Sequence, residues 1–283
     1  MSIKRVGVIG AGTMGNGIAQ ACAVAGLEVV MVDIHQTTLE RGIKTISDSL
    51  ERLIKKEKIS ASDKSAALAK IQGSTNYVDF AHCQIVIEAA TENKDLKVKI
   101  LQQLQEVVSP DVIIASNTSS ISITELAAQI KYPERFIGMH FFNPVPLMAL
   151  VEIIRGLQTS DATHAAVQNM ARALGKEPIT VKNAPGFVVN RILIPMINEA
   201  FFVLAEGVAS PEDIDAGMKL GCNHPIGPLA LADMIGLDTC LAVMEVYMAN
   251  FNDSKYRPCP LLRELVAAGY LGRKTGRGVY TYS

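Results

Sequence analysis

The sequence predicts an α/β chain: a Rossmann-like doubly wound sheet with a helical-pair insertion, followed by a smaller all-α domain. Three observations predict it. A buried strand, Val6-Gly7-Val8-Ile9, runs directly into G-x-G-x-x-G at Gly10, Gly12 and Gly15. Apolar strand runs then alternate with helical patterns, the signature of a sheet that is parallel at least in its first half. Past Lys182-Asn183-Ala184-Pro185-Gly186-Phe187 only helical patterns remain. The predicted boundaries are 1–184 for the sheet domain and 185–283 for the helical one.

Each element has its own signal. The glycine fingerprint opens a helix over Thr13–Ala25, and the second strand, Glu28–Val32, ends at Asp33. Helices are expected over Thr38–Lys58 and Ala61–Lys70, where a plain βαβ unit has one crossover helix. Strands are expected at Gln84–Glu88, Val112–Ser116, Arg135–His140, Ala149–Ile154 and Pro178–Val181. Between most of them lie helical patterns: Asp95–Val107, Ile123–Gln129 and Ala162–Leu174. The segment from Phe141 to Met148 holds two prolines and is too short for a parallel crossover, which takes roughly a dozen residues. The strand carrying Glu152 is therefore expected antiparallel to the one ending at His140. The helical part reads as Val188–Glu206, Pro211–Leu220, Leu229–Met248 and Leu261–Ala268. Ser210-Pro211-Glu212-Asp213 is a helix start, with Ser at the N-cap and Pro at N1.

Composition narrows the functional classes. At 283 residues with 49% apolar content, the chain has room for packed cores. A net charge of −1 gives no field to draw nucleic acid or an anionic membrane. The chain starts on a strand and nucleotide loop rather than a signal peptide, and no apolar run reaches the roughly 18 residues of a membrane span. Five scattered cysteines form neither C-x-x-C nor a metal pattern, and the five histidines are as dispersed. A cytoplasmic protein with reduced thiols and no metal is expected.

The fingerprint points to a dinucleotide. Gly10 makes the tight turn, Gly12 admits the pyrophosphate, and Gly15 lets helix and strand pack closely. Thr13 and Met14 open the helix, whose N-terminus offers N–H groups to phosphates. Asp33 favours NAD: a carboxylate accepts from ribose hydroxyls and repels a 2′-phosphate, and no Arg or Lys stands at Ile34, His35 or Gln36. FAD uses a similar fingerprint.

Ligands of open α/β sheets bind outside strand carboxyl ends. Several polar clusters fall there: Asp33, Glu88 to Glu92, Ser116-Asn117-Thr118-Ser119-Ser120, and His140 with Asn143. The serine-rich run alone reads equally well as a helix-capping loop. His140 is the candidate general base, because imidazole titrates near neutrality. Glu152 interrupts an apolar strand, an expensive place for an unpaired carboxylate, and a His–Glu pair orients the ring and stabilises imidazolium. Asn190 and Arg191 face either solvent or a crevice. Lys55-Lys56-Glu57-Lys58 reads as a solvated face or a phosphate contact. Gly272-Arg273-Lys274-Thr275-Gly276-Arg277-Gly278 lacks P-loop spacing and reads as a turn.

Taken together, Ser116–Ser120, His140-Phe141-Phe142-Asn143-Pro144 and Pro185-Gly186-Phe187-Val188-Val189-Asn190-Arg191 resemble the L-3-hydroxyacyl-CoA dehydrogenase family. Thr91-Glu92-Asn93 with Lys97-Val98-Lys99, and Gly227-Pro228 before Gly236-Leu237-Asp238, resemble it too. The resemblance spans essentially the whole chain, and the stand-alone length is most similar to bacterial members acting on 3-hydroxybutyryl-CoA. It implies His140 as acid/base with Glu152 as its partner. It implies that Ser119 and Asn190 hydrogen-bond the reacting oxygen and the acyl-CoA substrate. Asn143 becomes an organiser of nicotinamide or of the histidine loop, and Glu92, Lys97, Asn117 and Ser119 become further NAD contacts. Lys56 becomes a contact for CoA phosphates, and the helical domain a homodimer interface.

Overall fold

The structure, a computed structural model, describes residues 3–282. The chain divides into two compact units, one ending at Ala184 and the next beginning at Pro185.

The first unit starts with β1 (Arg5–Ile9), α1 (Thr13–Val24), β2 (Glu28–Val32), α2 (Gln36–Lys55), α3 (Ala61–Ala69) and β3 (Ile71–Ser74). It continues through β4 (Ile85–Glu88), α4 (Lys94–Leu104), β5 (Ile113–Ser116), α5 (Ile123–Ala127), β6 (Phe136–Phe141), β7 (Leu150–Arg155), α6 (Asp161–Ala173) and β8 (Glu177–Lys182). Among the described residues, eight strands form one sheet in the order β3-β2-β1-β4-β5-β6-β7-β8. The order reverses between β1 and β4, so a crevice opens at their carboxyl ends.

β-Branched runs make the central strands. β4 and β5 are buried throughout, as parallel strands covered on both faces must be. α2 buries Leu39, Gly42, Ile46 and Leu50, a stripe at helical spacing. α3 begins with a capping box between Ser60 and Asp63. Together α2 and α3 are the expected helical pair.

Every strand pair is parallel except β6–β7, as the short proline-bearing connection requires. Two elements depart from the sequence reading. β3 pairs with β2 although Ile71-Gln72-Gly73-Ser74 carries little strand signal; it is an edge strand with a single neighbour. In the second unit, the helix expected over Leu229–Met248 is two helices. Gly236, at φ +106°, lies outside helical space and breaks the run.

That second unit comprises α7 (Val189–Ala205), α8 (Pro211–Gly221), α9 (Pro228–Ile235), α10 (Leu237–Phe251) and α11 (Pro260–Ala267). Its core gathers Ile197, Phe201, Leu229, Leu237 and Met244. Two buried carboxylates tie it together. Asp215 accepts from the N–H groups of Leu229 and Ala230 and from the Tyr280 hydroxyl, at 2.8, 2.9 and 2.9 Å. Asp233 accepts from the N–H groups of Val279 and Tyr280 and from the Tyr282 hydroxyl, each at 2.9 Å.

Candidate active site

The glycine loop joins β1 to α1. Gly10 has φ +95°, and a Cβ there would lie 2.8 Å from the Ala90 backbone. A Cβ on Gly15 would stand 1.8 Å from the Gly10 carbonyl oxygen, so only glycine lets α1 start this close to the strand. Gly12 is exposed, with open space where a side chain would be, and Thr13 beside it is exposed too. Met14 turns inward against the core.

Asp33, at the end of β2, is oriented by the same loop. One carboxylate oxygen accepts from the Ala11 N–H and the other from the His35 N–H, both at 3.0 Å. A carboxylate has about four lone-pair sites, so capacity remains for two ribose hydroxyls. An open glycine turn at a helix N-terminus with a fixed carboxylate beside it fits NAD.

At the ends of β4 and β5 the polar groups interlock. Glu88 is fully buried and accepts from the Lys97 ammonium, the Ser116 hydroxyl and the Ala90 N–H. Lys97 is 1% exposed, so its ammonium is committed to Glu88 rather than open to a cofactor. Glu92 organises the serine-rich loop through one oxygen. That oxygen accepts from the Thr118 hydroxyl, the Ser119 and Ser120 N–H groups, and the Ser119 and Ser120 hydroxyls, at 2.8 to 3.0 Å. Asn117 reaches β6: its side-chain oxygen accepts from the Phe141 N–H at 2.9 Å. β5 has ended by then, and the Asn117 amide continues its pairing.

One residue earlier on β6 stands His140. Antiparallel register sets it directly opposite Glu152 on β7. The imidazole Nδ1 lies 2.8 Å from a Glu152 carboxylate oxygen. Glu152 is 0% exposed and His140 6%, so the pair sits in low dielectric at the carboxyl edge of the sheet. The His140 ring also leans on Phe142, 4.5 Å between centroids.

A cleft of about 510 Å³ runs from the glycine loop along α1 and α2. Arg41, Ser49, Arg52 and Lys56 line it from α2 and its C-cap, and the loop Asn143–Leu147 lines it too. Lys56, exposed, lines the cleft together with Arg41 and Arg52. Sequence reading missed Arg41, Ser49 and Arg52. The available signal was the spacing of Arg52 and Lys56, four apart on one helix face.

Asn190 lies in the second unit, half-buried on the first turn of α7. The turn before it is fixed locally: a Cβ on Gly186 would lie 1.9 Å from the Tyr247 hydroxyl oxygen. The neighbouring Arg191 guanidinium stacks 3.5 Å above the centre of the Phe251 ring.

Comparison with known proteins agrees across both units. A family model described as the NAD binding domain of 3-hydroxyacyl-CoA dehydrogenase matches residues 5–184. The model of that family's C-terminal domain matches residues 186–282. A 3-hydroxybutyryl-CoA dehydrogenase of Bradyrhizobium diazoefficiens is 54% identical over 99% of this chain and 96% of its own. A probable 3-hydroxybutyryl-CoA dehydrogenase of Bacillus subtilis is 51% identical over 100% of this chain and 98% of its own. The crystal structure of (S)-3-hydroxybutyryl-CoA dehydrogenase from Ralstonia eutropha superposes with a TM-score of 0.98, at 72% identity and with complete coverage of both chains.

Proposed function

This chain belongs to the 3-hydroxyacyl-CoA dehydrogenase family, and on that premise we propose that it interconverts (S)-3-hydroxybutyryl-CoA and acetoacetyl-CoA with NAD(H), His140 carrying the proton. The observation that carries the reading is the buried His140–Glu152 pair at the same sheet edge as the glycine loop and Asp33.

Bound NAD supplies the hydride acceptor of oxidation and, reduced, the hydride donor of the reverse reaction. Gly10, Gly12, Thr13, Met14 and Gly15 hold its pyrophosphate, and Asp33 its adenosine ribose. Glu92, Asn117, Ser119 and Asn143 shape the nicotinamide end, with Lys97 beneath them.

With Nδ1 committed to Glu152, proton exchange with the substrate falls to Nε2. In oxidation neutral His140 accepts the proton of the C3 hydroxyl. In reduction imidazolium donates a proton to the 3-keto oxygen. Glu152 orients the ring and stabilises its charged form. A placed base contributes about 10²–10⁴-fold, and alignment of the reacting carbons contributes further. Ser119 and Asn190 hydrogen-bond the thioester substrate, while Lys56 with Arg52 and Arg41 holds CoA phosphates. The protein is cytoplasmic and dimerises through its helical unit.

NADH consumption tests the reading. Acetoacetyl-CoA should be turned over, acetoacetate should not, and NADPH should serve poorly. Longer 3-ketoacyl-CoA substrates set the chain-length range. Turnover of the free acid as fast as of the thioester would reject a CoA substrate. A monomer in sedimentation would reject the dimer.

A further inference from the structure

Lys176 is a buried cation, 8% exposed, that no step above uses. Topology explains where it stands. Because β7 runs antiparallel to β6, the amino ends of β7 and β8 lie at the edge that holds the carboxyl ends of β1 to β6. Leu150 is in register with Glu177, and the Glu177 N–H donates to the Ala149 carbonyl at 2.8 Å. Lys176 therefore meets the connecting loop just where it enters β7.

Its ammonium donates to two carbonyls of that loop, Val145 at 2.6 Å and Met148 at 2.8 Å. Burial pushes this lysine below its ordinary value, so keeping the charge there has a cost that the two bonds offset. The loop is a single helical turn, in which the Leu147 and Met148 N–H groups both donate to the Pro144 carbonyl, at 2.9 and 3.0 Å. Lys176 takes carbonyls that this turn leaves over.

The loop is also held from the other side. A Cβ on Gly17 of α1 would lie 2.9 Å from the Val145 Cβ, so the bare stretch of α1 is what lets Val145 seat. Val145 is 2% exposed and Leu147 67%. The turn thus has a buried foot, clamped between Gly17 and Lys176, and an open rim on the cleft that Arg52 and Lys56 also line.

We infer that Lys176 is a positioning residue for substrate binding: by clamping the Asn143–Leu147 turn it sets the width of the cleft that receives the nucleotide arm of the CoA thioester. This rests on the acyl-CoA reading above. Proton transfer does not pass through Lys176, so its weight falls on thioester affinity.

The test compares full-length wild type, Lys176→Met and Lys176→Arg on acetoacetyl-CoA and on acetoacetyl-pantetheine, which lacks the nucleotide. Lys176→Met should raise KM for acetoacetyl-CoA several-fold, with about tenfold, the scale of one charged hydrogen bond, as the ceiling. Its kcat should stay within about twofold, and KM for acetoacetyl-pantetheine should not change. The Leu147 and Met148 amides should exchange faster with deuterium, and Lys176→Arg should recover part of the affinity. Equal loss on both thioesters, a fall in kcat alone, or an unchanged KM overturns the inference. Should Lys176→Met fail to fold, Lys176→Gln is judged by the same ratio of KM values. A wild type inactive on both thioesters defeats the acyl-CoA reading. One that turns both over, with Lys176→Met indistinguishable from it, defeats only the role of Lys176.

Discussion

His140 and Glu152 are direct partners across the β6–β7 ladder, with ring nitrogen and carboxylate oxygen 2.8 Å apart. The ladder itself holds the geometry, so neither side chain needs a loop to bring it into place. Replacing His140 by Ala or Glu152 by Gln should each lower kcat by about 10²–10⁴-fold and leave NADH binding nearly intact. The double variant should be little worse than either single one, because groups that act as a unit are not additive. Steady-state kinetics and NADH titration check this; fully multiplicative losses would assign the two residues separate roles.

Asp33 accepts from the Ala11 N–H of the glycine loop, and in the proposed function it also binds the ribose. Asp33→Ala should therefore raise KM for NADH and narrow the gap to NADPH together. Loss of a charged hydrogen bond is worth about 1.5–3 kcal/mol, or at least a tenfold change. A wild type that already prefers NADPH contradicts the carboxylate argument.

Lys56 and Arg52 are exposed on the wall of the cleft. Each removed singly should raise KM for acetoacetyl-CoA several-fold, since an exposed charge pair is worth about 1 kcal/mol at most. The effect should shrink at high salt and leave NADH affinity alone. An unchanged KM in both variants returns them to ordinary solvated charges.

Tyr280 and Tyr282 make an alkaline prediction for the helical unit. Burial and the carboxylate of Asp215 raise the Tyr280 phenol above its ordinary value, and burial and Asp233 do the same for Tyr282. A group raised in the folded state contributes stability fully below the unfolded tyrosine value of about 10. That contribution is lost as pH climbs through the raised folded value. Tyrosinate absorbance should show a late component, and stability should fall steeply with pH above about 10. Tyr280→Phe should remove part of the late component and cost about 1 kcal/mol at neutral pH. A late component of unchanged amplitude in both Tyr280→Phe and Tyr282→Phe disproves the assignment.

Much of this was legible in the sequence for physical reasons. The glycine fingerprint imposes a turn that few other residues tolerate. Two prolines in a short connection force an antiparallel return, and a lone carboxylate in an apolar strand demands a partner. What was not legible depends on distant neighbours. β3 exists because β2 offers it a free edge, and its own residues barely favour a strand. Gly236 interrupts a continuous apolar pattern, and periodicity alone does not distinguish a tolerated helical glycine from a break. Lys97 and Lys176 carry no local sign that they are buried. Their surroundings, Glu88 in one case and two loop carbonyls in the other, come from other strands and loops.

The crowding around Glu92 has a consequence for the serine-rich loop. Five donors converge on one carboxylate oxygen, which has about two lone pairs to give. The contacts are therefore shared, and the Ser120 N–H also reaches the Thr118 hydroxyl. Exchanging one of them for an incoming ligand forfeits little, because the others take up the vacated lone pair. The loop thus holds more hydrogen-bond donors around Glu92 than its one oxygen can pair at once. A Ser119 hydroxyl turned outward would leave that oxygen with four other donors.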